Sequence, residues 1–298
     1  MLVTVKPINK SSMEIKALAF DLDGTLLGPS VVLTEKSPLG SGAVLTDRTL
    51  RAVKACAEKG LELIIATGRA VEASEKFRIP MEAHGPMVYF NGAIIADMPS
   101  GKILHTTLVS KEIAKFCLEL SRKKGVYFQL YKPGTAQMPG QPLLTAEDHL
   151  QRELYHKHTG ILAGICDLDK LLEDPHLQGC IKCMFLADPG VLDGLRPFIE
   201  ERFGKDVYVV RSTSTFLEIL NPGVSKGVGL ELALKHRGIK PAETIAFGDE
   251  ENDLPMFKNA GISVAPANAR EKVKAAADWV TASNAEDGVA VFLENYIL

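Results

Sequence analysis

Apolar residues fall in short runs separated by amphipathic stretches, and each change of period marks an element. Residues 15–20 form a mostly apolar run closed by a turn at Gly24, the pattern of a buried strand. Leu50, Val53 and Ala57 share one face of a predicted helix that Thr46 or Asp47 caps and Gly60 stops. A second apolar run, 61–66, ends in Thr67-Gly68-Arg69. Strand, helix, strand with short links is a βαβ unit, so the sheet is expected to be parallel with a right-handed crossover. Residues 70–77 predict a helix, and 87–90 a strand ending at Asn91-Gly92.

From about Ala93 the rhythm changes. Predicted strands at 103–109, 126–131, 180–186 and 207–210 alternate with predicted helices at 110–124, 146–158, 168–172 and 191–203, and 133–142 is a Gly/Pro-rich turn region. The earlier rhythm resumes with a strand at 215–220 and a helix at 226–236 capped by Ser225 and ended by Gly238. A strand at 244–247, a helix to 259, a strand at 262–264 and helices at 268–277 and 288–296 complete the chain. The class is α/β. The expected division is a flexible leader over 1–13, a first domain over 14–92 and 214–298, and a second α/β domain over 93–213 inserted into it. Residues 26–46 are expected to form a loop or small hairpin over the first strand's end.

Four polar clusters stand at or near strand ends or helix starts: Asp21-Leu22-Asp23-Gly24-Thr25, Thr67, Lys226, and Gly248-Asp249-Glu250-Glu251-Asn252-Asp253. Each alone has a plain reading, such as a solvated acidic turn or a helix lysine. Together they belong at one end of one parallel sheet, where carboxyl ends of neighbouring strands converge on a crevice. Carboxylates gathered there repel unless a cation sits among them, and an all-oxygen donor set selects a hard ion such as magnesium. Magnesium beside a lysine, a threonine hydroxyl and turn amides makes a phosphate site.

Bulk properties narrow the partners. The chain has 298 residues, enough for about two domains. Its formal charge of −3 implies no basic patch, so nucleic acid is not an expected partner. No apolar run approaches the roughly 20 residues of a membrane helix, and 1–10 does not look like a secretory signal. Met13 is a candidate alternative start. Five cysteines suggest no disulfide framework. Cys180 and Cys183 lie on one predicted strand, where residues three apart face opposite sides, so they read as free thiols in a reducing, cytoplasmic setting.

The ordered set Asp21-Leu-Asp-Gly-Thr, Thr67-Gly-Arg, Lys226 after Gly223-Val-Ser, and Gly248-Asp-Glu-Glu-Asn-Asp253 resembles the haloacid dehalogenase superfamily. The large insert, Asn91-Gly92-Ala93 and Ala277-Asp278-Trp279-Val280-Thr281 are similar to its Cof-type branch. The resemblance implies a Rossmann-like parallel-sheet core with an inserted α/β cap, and a magnesium-dependent phosphatase working through an aspartyl-phosphate. On it, Asp21 is the nucleophile, Asp23 the acid/base, Lys226 a catalytic group that neutralises developing charge and holds Asp21 ionised, and Thr67 with Gly68 and Lys226 the phosphate-binding set. Asp21, the Asp23 carbonyl and Asp249 would hold magnesium, helped by Asp253 through a water or the outer sphere and by Asn252, which orients the site. Family members acting on halides or phosphonates lack the second aspartate, so Asp23 points to phosphate esters.

Asn91, Gly92, Arg69 and Arg211 are substrate-side candidates, and Tyr127, Gln129, Tyr131, Lys182 and Ser212 are further ones in the cap. Two features depart from the branch: a longer connection over 28–44, and Pro266 where methionine is frequent. The expected substrates are sugar phosphates, nucleotides or phosphorylated cofactors, handled by a monomer or homodimer. A phosphomutase or phosphotransferase is the alternative within the family. A non-catalytic sugar-phosphate-binding regulatory module is the alternative outside it, disfavoured because a binder needs no nucleophile and acid together.

Overall fold

The computed structural model describes residues 14–29, 43–134 and 142–298, with the backbone alone at 3–4 and 212–213. The first part of the chain supplies β1 (Val3–Thr4), β2 (Ala17–Phe20), α1 (Asp47–Glu58), β3 (Glu62–Ile65), α2 (Val71–Met81) and β4 (Gly85–Tyr89). Two more strands follow, β5 (Ile94–Met98) and β6 (Lys102–Thr106). The middle holds α3 (Lys111–Lys124), β7 (Tyr127–Tyr131), β8 (Leu143–Thr145), α4 (Leu150–Thr159), β9 (Gly164–Ile165) and α5 (Leu168–Glu173). It continues through β10 (Lys182–Leu186), α6 (Pro189–Phe203), β11 (Tyr208–Thr213) and β12 (Phe216–Leu220). The last part is α7 (Lys226–Arg237), β13 (Thr244–Phe247), α8 (Leu254–Lys258), β14 (Ile262–Pro266), α9 (Glu271–Ala276), β15 (Trp279–Thr281) and α10 (Gly288–Tyr296).

The first sheet has the order β1-β15-β14-β13-β2-β3, parallel throughout except for β1. Every residue of β2 is buried, as expected of a central parallel strand covered on both faces. Phe20 stands beside Ile65 on one side and Phe247 on the other. The chains leaving β2, β3 and β13 therefore emerge level, which brings Asp21, Thr67 and Asp249 to one edge. A bridge from Ala66 to Val88 extends the parallel arrangement to β4, which then pairs antiparallel with β5, and β5 with β6.

The second sheet, β11-β12-β10-β7-β8-β9, is antiparallel apart from the β8–β9 edge. Alternation sorts its side chains. Phe128, Leu130, Cys183, Phe185, Leu217 and Ile219 pack with residues of α3, α5 and α6 in a cluster of their own. Tyr127, Tyr131, Met184 and Leu186 join instead the cluster that holds Phe77, Tyr89 and Phe90 of the first part. The second sheet thus presents one face to its own helices and the other to the edge where the polar clusters gather.

Several expectations need correction. Phe216–Leu220, expected in the resumed first domain, is the middle partner of β11 and β10 in the second sheet, because its alternating apolar residues complete that sheet's core. Residues 94–98 form a strand that the change of rhythm concealed, and the strand expected over 103–109 ends at Thr106. The segment 279–281 is also a strand, and Val3–Thr4, expected in a flexible leader, pairs with it. Cys180 precedes its strand, bridged to Val109, and a bend at Ile181 separates the two. Both Cys180 and Cys183 therefore enter the same buried cluster, as free thiols, rather than facing opposite sides. Gly28 and Val44 pair in an isolated antiparallel bridge at the ends of the expected loop or hairpin, whose interior, 30–42, lies outside the described residues, as do 5–13 of the expected leader and 135–141 of the turn region. Among the described residues no helix is long and apolar enough to cross a membrane.

Helix α7 approaches the edge because glycines permit it. Gly92 has φ +102°, and a Cβ there would stand 2.3 Å from the Ser225 carbonyl oxygen. Gly92→Ala is expected to destabilise the fold by about 2 kcal/mol or more, read from the denaturant midpoint. Gly101, at φ +70° with nothing within 4 Å, isolates the conformational part. Gly101→Ala should cost only about 1 kcal/mol. Equal losses in the two variants would contradict the close approach.

Candidate active site

Asp21 is the first residue beyond β2, and its N–H donates to the Phe247 carbonyl, 3.0 Å away. Gly24 then turns the chain at φ +79°, and a Cβ there would lie 2.2 Å from Asp249 Oδ2, so only glycine lets this turn meet the Asp249 loop. Thr25 donates its hydroxyl to Asp249 Oδ1 at 2.6 Å. The Gly24 carbonyl accepts from Asn268 Nδ2 at 2.8 Å, a contact for which the sequence carries no signal. Asp253 closes the loop after β13, its Oδ2 accepting from the N–H groups of Asp249 and Glu250 at 2.9 and 3.0 Å.

Lys226 opens α7, where the helix dipole disfavours a cation. Two carboxylates hold it there: its Nζ donates to Asp21 Oδ1 and to Asp253 Oδ1, both at 2.6 Å, with the lysine side chain 1% exposed. Burial alone would lower its pKa, but Asp21 and Asp253 raise it above the usual lysine range. One lysine does not balance the acids. Burial pushes Asp21 well above the carboxylate range against the pull of Lys226, with Asp253 and Asp249 adding to the rise. Burial likewise lifts Asp249 to about 7 despite the Thr25 hydrogen bond.

Oxygens of Asp21, Asp249 and Asp253 lie within 4.8 Å of one another. In the same loop Asn252 Oδ1 is buried without a hydrogen-bond partner, while its Nδ2 donates to Asn91 Oδ1 at 3.0 Å. An all-oxygen donor set short of positive charge, with an unmet acceptor beside it in sequence, fits a hard divalent cation.

Asp23 has a different fate. Arg69 grips it with two hydrogen bonds, Nε to Oδ2 at 2.6 Å and Nη2 to Oδ1 at 2.5 Å. Burial would raise the Asp23 pKa, but the Arg69 hydrogen bonds and charge hold it below the usual range. Thr67 is buried and accepts the Arg69 N–H at its hydroxyl, 3.1 Å away. A Cβ on Gly68 would touch the Asn91 amide at 3.1 Å, so Asn91 stands against the Thr67 turn.

The second-sheet candidates divide. Tyr127 donates to Gln129, Lys182 pairs with Glu218 at 2.8 Å, and Tyr131 hydrogen-bonds Tyr155, all of them buried. Their polar ends serve one another. Arg211 is tied to Asp193 and the Pro189 carbonyl at the start of α6 and to the Ser214 carbonyl between β11 and β12, rather than to any of the groups above. The side chain of Ser212 lies outside the described residues. Sequence reasoning missed His158, which feels the charges of both Arg69 and Asp23, and the Tyr155–Phe216–His158 aromatic contacts beside it. Only the docking of α4 and β12 over the site reveals these.

The sequence matches the haloacid dehalogenase-like hydrolases over residues 18–293, and the chain belongs to that family. It is 30% identical over 286 residues to 5-amino-6-(5-phospho-D-ribitylamino)uracil phosphatase YitU of Bacillus subtilis, covering 94% of this chain and 96% of that protein. It is also 30% identical to the chloroplastic endoribonuclease YBEY of Arabidopsis thaliana over 93% of this chain, and spans 45% of that longer protein. The crystal structure of TM0651 from Thermotoga maritima superposes with a TM-score of 0.78 at 28% identity, covering 95% of this chain and 98% of that one. The chain is an enzyme of this family, of its phosphatase branch.

The raised Asp249 carboxyl gives a test of the charge deficit. A carboxyl with a higher pKa in the folded chain stabilises the fold while protonated; that contribution is complete below the unfolded value of about 4 and is lost as pH rises through about 7. Metal-stripped protein should therefore melt at lower temperature at about pH 8 than at about pH 5, and magnesium should raise the midpoint most at the higher pH. A flat metal-free profile, or no response to magnesium at the higher pH, would contradict it.

Proposed function

We propose that the chain hydrolyses phosphate monoesters of small metabolites, such as sugar phosphates, nucleotides or phosphorylated cofactors, through an aspartyl-phosphate on Asp21. The observation that carries this reading is the buried Lys226 bridge from Asp21 to Asp253, with Asp23 two residues away held outside that bridge by Arg69. In the first step the Asp21 oxygen not bonded to Lys226 attacks phosphorus, the ester P–O bond breaks, and the departing oxygen takes a proton from Asp23. In the second, Asp23 takes a proton from the water that attacks the phosphoryl group, and Asp21 leaves as carboxylate. Thr67 and Gly68 bind phosphoryl oxygens, and Lys226 offsets the charge that develops on them.

Asp21, Asp249 and the Asp23 backbone carbonyl would hold magnesium, with Asp253 and Asn252 supporting from the same loop. Bound there, the ion would supply the missing positive charge and polarise the phosphoryl group. Without ligands the two acids are poised in reverse, Asp21 toward protonation and Asp23 toward ionisation. A cation beside Asp21 favours its carboxylate. An anionic ester competes with Asp23 for the Arg69 guanidinium, and release from Arg69 is what lets Asp23 carry a proton. Ligand binding thus sets both acids for the first step.

The division supported by this reading is a catalytic core formed by the first sheet and its helices, and an inserted cap formed by the second. Its docked face brings His158 and Tyr155 beside Arg69 and the half-exposed Asp23, where the leaving group would lie, so the cap supports substrate choice. The ribitylaminouracil phosphatase name of one relative is compatible with a polyhydroxylated leaving group.

The test is phosphate release from a metabolite panel with magnesium. Asp21→Asn should lose about a thousandfold or more in kcat with an unchanged circular dichroism spectrum. Asp23→Asn should lose about a hundredfold or more on alkyl phosphates and less on an aryl phosphate, whose leaving group needs no proton. Turnover retained by Asp21→Asn, or equal losses on both ester types for Asp23→Asn, would contradict these roles.

A further inference from the structure

The turn after β4 carries three successive positive φ angles: Phe90 at 51°, Asn91 at 58° and Gly92 at 102°. Glycine adopts this region freely and asparagine tolerates it, but a bulky aromatic there is an outlier that surrounding structure must hold in place. The backbone is fastened to the phosphate loop, Phe90 N–H to the Arg69 carbonyl at 3.0 Å and Asn91 N–H to the Thr67 carbonyl at 2.9 Å. The two side chains then serve opposite parts of the molecule.

The Asn91 amide stands between Gly68 and Asn252, accepting from Asn252 Nδ2 at 3.0 Å. It joins the turn after β3 to the loop after β13. The Phe90 ring, fully buried, meets the second sheet: the Tyr131 ring packs edge-on with centroids 4.8 Å apart, and Lys182 Nζ lies 5.5 Å from the Phe90 centroid. Those partners are themselves immobilised, Lys182 by its buried pair with Glu218 and Tyr131 by its hydrogen bond to Tyr155. A desolvated ammonium over an aromatic face is a favourable contact. Neither the reaction steps nor any motif accounts for an aromatic residue at this left-handed position.

We propose that Phe90 is a positioning residue. Its ring, seated on Tyr131 and Lys182 of the inserted sheet, braces the left-handed turn that sets the Asn91 amide against the phosphate loop and Asn252. The inserted sheet thereby contributes to the phosphate site at a distance, through one strained turn, in addition to covering it. The inference rests on the phosphatase reading above, and it makes Asn91 the route by which loss of the ring is felt.

The test is a double-mutant cycle on p-nitrophenyl phosphate with saturating magnesium, using Phe90→Leu, Asn91→Ala and the double variant. Asn91→Ala and Phe90→Leu should each lower kcat by about tenfold or more, with KM changed less than about threefold, since the amide acts on phosphoryl transfer rather than on docking the leaving group. In the Asn91→Ala background Phe90→Leu should cost less than about twofold more. If Phe90→Leu does not fold, Tyr131→Leu removes the same brace from the opposite side and should show the same dependence on Asn91. An unchanged kcat in the brace variant, or losses that multiply independently of Asn91, would overturn the inference. Asp21→Asn separates the two levels. Full activity in that variant defeats the phosphatase reading itself, whereas its inactivity together with a neutral Phe90→Leu defeats only the role of Phe90.

Discussion

Lys226 donates from a water-excluded position to Asp21 after β2 and Asp253 after β13, and so ties two loops of the first sheet to the start of α7. An ammonium at a helix N-terminus and carboxylates in the interior are each unfavourable alone; each becomes tolerable because of the other. The second oxygen of Asp253 extends the arrangement by ordering the amides of Asp249 and Glu250. Removing the ammonium would strand several buried acids at once. The single cation also leaves the cluster short of positive charge, and that shortage makes the place suited to a hard ion and a phosphate ester. Structure and chemistry here share one cause.

Two aspartates two residues apart would look equivalent in solution. The bend beyond β2 separates them: Asp21 turns inward among acids, where burial raises its pKa, and Asp23 meets Arg69, which lowers it. Environments that drive paired acids apart are how one site assigns a nucleophile and a proton carrier. Arg69 comes from the turn beyond β3, the strand adjacent to β2, so the pairing is a consequence of parallel register as much as of sequence.

Much of the core was legible because central parallel strands are continuous apolar runs and its helices are capped at recognisable places. Thr46 and Ser225 accept N–H groups at the starts of α1 and α7, and Gly238 ends α7 in the left-handed region. The polar clusters were legible as a set because one sheet edge must collect them. What depended on long-range docking was not. Phe216–Leu220 resembles any strand until its partners are known, and 94–98 is a hairpin arm whose signal is diluted by Asp97. Tyr127, Gln129, Tyr131 and Lys182 were candidates as polar or aromatic residues of the inserted domain; in the folded chain their partners are each other and Glu218 and Tyr155. Arg211, another candidate, meets Asp193 on α6, a partner that only the folded chain reveals.

The central claim is a covalent bond between phosphorus and Asp21, and it is accessible to direct chemical trapping. Protein carrying Asp23→Asn, mixed with an aryl phosphate and magnesium and quenched in acid, should carry one added phosphoryl group by intact mass. Borohydride reduction should then convert residue 21, and no other aspartate, to homoserine in the peptide map. An unmodified mass during continuing turnover, or reduction at a residue other than 21, would contradict the account.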